Sequence, residues 1–434
     1  MTFNIKDFGA VGDGRTLNTA AIQSAIDKCT ASGGGSVIVS GGTYMTGTIV
    51  LKDNVDLHIE ADGRLLGSPS CGRYEEGDDP NARRDLVAKA ADYGDYPDFP
   101  KKHVCVDNLP RHRGSALIFA EEQSNISITG KGVIDANGEC FIEKVPEGVN
   151  YWMPYRRIDA PTPPRVVFFT GCRNVVVEDV TMTNQPAGWS YWIHDCDYVN
   201  FDRVRILAKV EYPNNDGIHI NCSRNVTVSN SFINCGDDAI IVRANNLSLK
   251  ENKVCERVTV TNCNLTSHSG GIRIGWVNDG VIRNCTFSNL VMTDTTVGVS
   301  ISFPKKKYSP SDFGREATLV ENLVFSNIVM DGTYSFPIRI NIEEDPELHI
   351  NAIRNIYFSN IHTRGLRLPF LVGRKDNPLE NIKFSDCTFE VLSPENGNDG
   401  RSHGAAYGKA PESPKMEVVH VNRLSFNNTD FITH

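Results

Sequence analysis

No stretch of the 434-residue chain approaches the roughly 20 consecutive apolar residues that a membrane-spanning helix needs. The N-terminus, MTFNIKDFGAVGDG, has neither the basic start nor the apolar run of a secretory leader. The sequence as it stands reads as cytoplasmic, and a secreted protein trimmed of its leader would read the same way. Net positive charge is also lacking. A formal balance of −9 argues against a nucleic acid or an anionic membrane as the main partner. Close Cys-x-x-Cys pairs are missing among the 12 cysteines, so neither a zinc site nor a small disulfide framework is expected, and no cofactor or metal is called for. Cys235, Cys263, Cys285 and Cys387 stand in similar apolar phrases and read as core fillers in a reducing compartment. Helix-period patterns are almost absent after the first 35 residues. What remains, 40% hydrophobic and 22% charged, is globular composition with ample material for a core.

What is present is a repeat. A short phrase of alternating apolar residues, led by Asn or Arg, begins at Asn54, Asn125, Asn174, Asn225, Arg257, Asn322, Asn355, Asn381 and Arg423. Many copies continue with Ser or Thr and then Asn or Asp, as in VTVSNSFI, LVFSNIVM and IKFSDCTF. Each is a strand of period two closed by turn residues, and the intervals are too short for separate domains. Self-similar coils without crossover helices predict a single all-β domain over 1–434, a single-stranded right-handed parallel β-helix. The competing reading is an antiparallel sandwich. Asn at the phrase start suits coil stacking, its amide reaching turn backbone in the next coil.

One helix is predicted near the start, capped by Asn18, with Ala21, Ile22, Ala25, Ile26 and Cys29 on one face. It would close the open end of the solenoid within an N-terminal cap of about residues 1–35, because a bare first coil exposes core and an unpaired edge. The Gly33-Gly34-Gly35 run follows the helix and precedes a strand, so it is a turn and not a phosphate loop. Two polar, aromatic excursions interrupt the repeat at about 68–113 and 139–165, the second carrying Tyr151, Trp152, Tyr155, Arg156 and Arg157. Either could wall a sugar site or pack over the coil's own side.

The phrases PNNDGIHI (213–220) and CGDDAIIV (235–242) overlay by their apolar alternation, Ile218 on Ile240 and Ile220 on Val242. Asp216 then falls on Asp238, an offset of 22 residues that is close to one coil, so the two carboxylates would stack about 4.8 Å apart. Asp237 lies beside them. A lone Asp-Gly is ordinarily a turn, but an Asp pair one coil above another Asp forms a coupled group with at least one raised pKa. A general acid and a water-activating base need such a group. Strict alternation would send Asp237 and Asp238 to opposite faces, so a bend or bulge is expected near Gly236.

With FGAVGDGRTLNTAAIQSAID, GSALIFA, GVIDANG and the NND and GDD motifs together, the chain resembles glycoside hydrolase family 28, the polygalacturonase and rhamnogalacturonase family. The resemblance implies inverting hydrolysis of a glycosidic bond in an oligosaccharide or polysaccharide. Asp237 would be the general acid, Asp216 and Asp238 would act on the water, and Asn214 would lead the first motif. The departures bear on the substrate. In SHSGGIRIG, Ser269 stands at the family's usual His, with His268 one place away as its replacement or as a turn residue. In VGVSISFP, Ser300 and Ser302 stand where an Arg-x-Lys pair would hold a galacturonate carboxylate. Arg273 one coil earlier, Arg243, His219 and the nearby Lys305, Lys306 and Lys307 border the same groove, as substrate contacts or as solvated surface. The expectation is an exo-acting, pectin-related glycosidase whose substrate is not plain polygalacturonate. The alternatives are a lyase on the same fold and a non-catalytic carbohydrate-binding solenoid.

Overall fold

The computed structural model describes residues 1–73, 92–96, 116–149, 153–158, 165–186, 188–246, 249–277, 279–305, 316–393 and 415–434. Successive coils stack into two large sheets, one of 11 and one of 20 strands, with neighbours in parallel register throughout. The architecture is the right-handed parallel β-helix expected from the repeat. In the N-terminal half the larger sheet takes two short strands from each coil, such as Arg224–Ser229 and Phe232–Cys235. Both pair with the single strand Cys255–Ser267 of the next coil. From that point the two faces are continuous strands of 13 or 16 residues, bent in the middle.

The bends explain the asparagines. Asn262, Asn289, Asn327 and Asn360 lie inside long strands with φ between 52° and 55°. A second column, at the phrase starts Asn54, Asn125, Asn174, Asn225, Arg257, Asn284, Asn322, Asn355, Asn381 and Arg423, has φ between 53° and 61°. Asn tolerates this left-handed region better than other side chains bearing a Cβ. The amides do not reach turn backbone, as the sequence suggested, but bond one another. Asn125 Nδ2 donates to Asn54 Oδ1 at 2.8 Å, Asn355 to Asn322 at 3.1 Å and Asn381 to Asn355 at 2.7 Å. The bend column does the same, Asn360 donating to Asn327 at 2.9 Å.

Inward residues form one core running from Ile5 to Val391. Its spine is a stack of like residues: Phe287, Phe325, Phe358, Phe384 and Phe426 follow one another at ring separations of 4.8–4.9 Å. Among the described residues ten cysteines are free and nine of them are buried, in keeping with their reading as core fillers. The helix Thr19–Ala31 buries Ile22, Ala25, Ile26 and Cys29 against the first coils. Ala21 is only partly buried. Asn18 sits at the helix start, but its side chain makes no capping bond to the helix. It accepts from Val11 N–H at 2.7 Å and donates to Thr16 carbonyl at 2.6 Å, pinning the preceding loop instead.

Truncating one ring leaves a cavity that the fixed coil spacing cannot close. Phe358→Ala is expected to cost about 3–5 kcal/mol, read as a lowered thermal midpoint. Asn355→Ala is expected to cost about 1–2 kcal/mol for the left-handed backbone, and Asn355→Gly less.

Candidate active site

Ile218 lies opposite Ile240 and Ile220 opposite Val242, so Asp216 and Asp238 occupy one column as the two motifs imply. Gly217 N–H donates to the Asp238 carbonyl at 2.9 Å and closes the first step of the pairing. Asp237 stands in the bend between the strands Phe232–Cys235 and Ile240–Arg243. The bend expected near Gly236 is therefore present, and strand alternation does not govern Asp237. Gly236 is required there, since a Cβ would lie 2.3 Å from the Tyr212 carbonyl oxygen. Each of the three carboxylates places an oxygen within 4.8 Å of the others.

Their surroundings differ. Asp216 is buried, its Oδ2 lies 2.8 Å from His219 Nε2, and its Oδ1 is buried with no hydrogen-bond partner among the described residues. Burial, reinforced by the charges of Asp237 and Asp238, pushes its carboxyl well above the usual range. Asp237 is half-buried, accepts from Asn214 Nδ2 at 3.0 Å on Oδ2 and from the Asp238 N–H at 3.0 Å on Oδ1. Its carbonyl accepts from Ser267 Oγ at 2.5 Å. Asp238 has both oxygens engaged, Oδ1 by Ser269 Oγ at 2.8 Å and Oδ2 by Arg273 Nη1 at 3.0 Å. Gly270 clears the space beside it, since a Cβ would meet Asp238 Oδ1 at 2.6 Å.

The residues proposed as substrate contacts separate into distinct positions. Asn214 and Arg273 touch the carboxylates directly, and the Arg273 guanidinium also lies 3.9 Å over the Trp276 ring. His219 is not a surface residue. It is 4% exposed and stacked on Trp189 at 3.6 Å. Burial, then the charges of Arg243, Arg165 and Arg273, holds its imidazole well below the usual histidine range. A neutral ring with Nε2 hydrogen-bonded to Oδ2 orients Asp216. Arg243 does not open onto the groove as a substrate ligand would. It is buried, with Nε and Nη2 on the two oxygens of buried Asp279 at 2.7 and 3.0 Å. His268 is half-buried, and its carbonyl accepts from Thr296 Oγ1 at 2.8 Å. Ser269, not His268, supplies the hydroxyl on Asp238.

Sequence reasoning missed Asn215, whose Oδ1 accepts from Gly236 N–H at 2.6 Å and whose Nδ2 donates to the Lys209 carbonyl at 2.6 Å. The doubled Asn of the NND motif was the available signal. Trp189, Trp276 and Asp279 carried none, lying outside any motif. Of the second excursion, Ile142–Lys144 and Tyr155–Arg157 form an antiparallel hairpin that sets Tyr155 edge-on to Tyr212 at 5.1 Å, two residues before Asn214. Tyr151 and Trp152, most of the first excursion, and Lys306 and Lys307 lie outside the described residues. Lys305 is exposed, its N–H donating to Glu343.

Residues 109–367 match glycosyl hydrolases family 28, and residues 2–105 match the rhamnogalacturonase A/epimerase, pectate lyase-like family. The chain belongs to glycosyl hydrolases family 28. Among the relatives of this family 28 chain, a probable polygalacturonase of Vitis vinifera is 24% identical over 69% of the chain and 56% of the relative. An exo-poly-alpha-D-galacturonosidase of Dickeya chrysanthemi is 28% identical over 55% of the chain and 41% of the relative. The chain thus spans about half the length of these two relatives. In fold it is similar to a hyperthermoactive exopolygalacturonase from Thermotoga maritima, with TM-score 0.71, 21% identity, and coverage of 100% of this chain and 92% of that one. The departures seen in the sequence persist in space: Ser300 pairs with Arg273 below it, and Ser302 Oγ bonds Asn341 at 2.7 Å.

Two stability effects follow from these environments. Folded Asp216 keeps its proton to higher pH than the unfolded chain, whose carboxyl titrates near 3.8, so the folded state binds more protons and loses stability as pH rises above that value. Asp216→Asn is therefore expected to melt above wild type at pH 7 and to lose that advantage towards pH 4. Arg243→Met strands the buried carboxylate of Asp279 and is expected to cost about 3–5 kcal/mol, measured by denaturant unfolding.

Proposed function

We propose that the chain is an exo-acting glycosidase that hydrolyses a glycosidic bond in a pectin-related oligosaccharide with inversion. The observation carrying the reading is the differentiated carboxylate trio: Asp238 clamped by Arg273 and Ser269, Asp237 reached by Asn214, and Asp216 with a buried oxygen that has no hydrogen-bond partner among the described residues. Carboxylates in different settings can divide the work of acid and base.

In this reading Asp237, the most accessible of the three, protonates the departing sugar oxygen. Asp216 and Asp238 together position and deprotonate the water, while His219 Nε2 keeps Asp216 Oδ2 in place. The nearest oxygens, within 4.8 Å of one another, are closer than the roughly 6.5–9.5 Å between carboxyl groups that inversion ordinarily uses. Proton NMR of the first-formed anomer is the direct test of stereochemistry, and a retained anomer would overturn inversion. The raised carboxyl of Asp216 favours a second assignment, with Asp216 as the acid. Aryl glycosides with good leaving groups separate the two, because they need little protonation: the variant of the true acid, Asp237→Asn or Asp216→Asn, keeps turnover on them.

The curated relatives are a probable polygalacturonase and an exo-poly-alpha-D-galacturonosidase, which supports a uronic-acid polymer or its fragments as substrate class. Ser300 and Ser302 argue against plain polygalacturonate at the scissile bond, because neither supplies a charged partner for a carboxylate there. Action on oligosaccharides in the cytoplasm belongs to the same proposal and agrees with nine buried free thiols among the described residues. A screen of pectic oligosaccharides for reducing-end release tests it. Wild type is expected to release reducing sugar with no ultraviolet-absorbing unsaturated product and no loss in chelator, and Asp237→Asn to lose at least a hundredfold of kcat. An unsaturated, chelator-sensitive product would make it a lyase, and undiminished turnover in Asp237→Asn would remove the carboxylates from catalysis.

A further inference from the structure

Three coils beyond Asp238, on the same outer face of the 11-stranded sheet, the chain builds a two-by-two checkerboard of arginine and phenylalanine. Asp238 and Ile241 belong to the coil that pairs with Gly270 and Arg273, which pair in turn with Val297 and Ser300. Ser300 pairs with Arg339, and Arg339 with Phe370. The same offsets put Phe336 above Val297 and Arg367 above Phe336. Each column therefore holds one guanidinium and one ring, in opposite order. The Arg367 guanidinium lies 5.2 Å over Phe336, that of Arg339 5.8 Å from the Phe370 ring, and the two rings are tilted against each other at 5.1 Å. All four side chains are half-buried, whereas the large rings on the same outer face nearer the carboxylates, Phe168, Trp189 and Trp192, are buried.

A core has no use for two guanidiniums on its outside, and a solvated sheet surface has no use for two phenylalanines. Rings that present a flat apolar face beside forked cations suit one ligand class well: a pyranose ring whose C–H face stacks and whose carboxylate takes a bidentate guanidinium. We propose that Phe336, Arg339, Arg367 and Phe370 form a distal subsite for an acidic sugar of a longer substrate chain. The proposal rests on the family 28 reading above and extends it. At roughly 4.8 Å per coil the patch lies about 14 Å from Asp238 along the solenoid axis, beyond the span of one sugar ring attached at the scissile bond. The column runs without interruption from Arg273 through Ser300 to Arg339. Ser300, being small, leaves the path between the two arginines low. The charge that Ser300 and Ser302 do not supply beside the reacting bond is in this way supplied further along the chain, where it grips the polymer.

Binding of galacturonate oligomers of two and six units, by titration calorimetry in an Asp237→Asn background, tests the subsite. With Asp237→Asn alone, the six-unit ligand is expected to bind tighter than the two-unit one. Adding Arg339→Gln and Arg367→Gln is expected to weaken the six-unit ligand by about tenfold, with the loss absent for the two-unit ligand and for a carboxyl-reduced, neutral six-unit chain. Arg367→Gln alone, with a thermal midpoint checked against the parent, serves if the double change disturbs folding. An equal loss for both lengths, or none for the long acidic ligand, overturns the subsite. Absence of turnover of every pectic oligomer by wild type would instead overturn the parent reading, while the binding comparison still decides the patch.

Discussion

Everything in this molecule depends on the parallel register between coils, which repeats each backbone position about 4.8 Å above its predecessor. A side chain placed once is placed again, or its replacement is. Like stacks on like in the core, where the five phenylalanines keep that interval, and on the bends, where asparagine amides bond one another. The same repetition becomes chemistry when the stacked residues are acids. Asp216 and Asp238 are close because register permits no other arrangement, and the bend at Gly236 adds Asp237.

Close packing of carboxylates is unfavourable, and the coils around them offset it unevenly. Arg273 engages Asp238 with a charge, whereas Asp216 has a neutral imidazole clamped on Trp189. Arg243, which might have competed for the same acids, is held away by Asp279 and acts on His219 only through its field. The result is a site whose three acids face different local fields while sharing one backbone frame. Strain is not needed to explain it; the differences come from which partner each neighbouring coil supplies.

The fold was legible because its signal is repeated many times over, each copy reinforcing the others, and Asn at the phrase starts marked the left-handed positions. The Asp216–Asp238 stacking was legible for the same reason, since two motifs could be overlaid by Ile218 and Ile240. What could not be read were partners whose spacing varies from coil to coil. Asp279 reaches Arg243 from a turn after Trp276, and Trp189 meets His219 from the coil below, with no motif to announce either. Asn18 was misjudged because a residue at a helix start can satisfy the loop before it as well as the helix after it. His219 and Arg243 are both outward by alternation, which points to a substrate contact or a solvated surface; the aromatic and acidic neighbours that bury them come from distant segments.

The free asparagine-to-asparagine ladder has an implication for how such a protein changes over time. Because the left-handed corners recur from coil to coil in two columns, and their asparagine amides bond the neighbouring coil, a coil can lengthen its turn without disturbing the corners. The steps between successive asparagines of the bend column, 27, 38 and 33 residues from Asn262 to Asn360, already record such freedom. The corners act as a ruler with fixed marks and elastic intervals. New recognition surfaces can be grafted between marks while the reacting groups, locked to the ruler, keep their places.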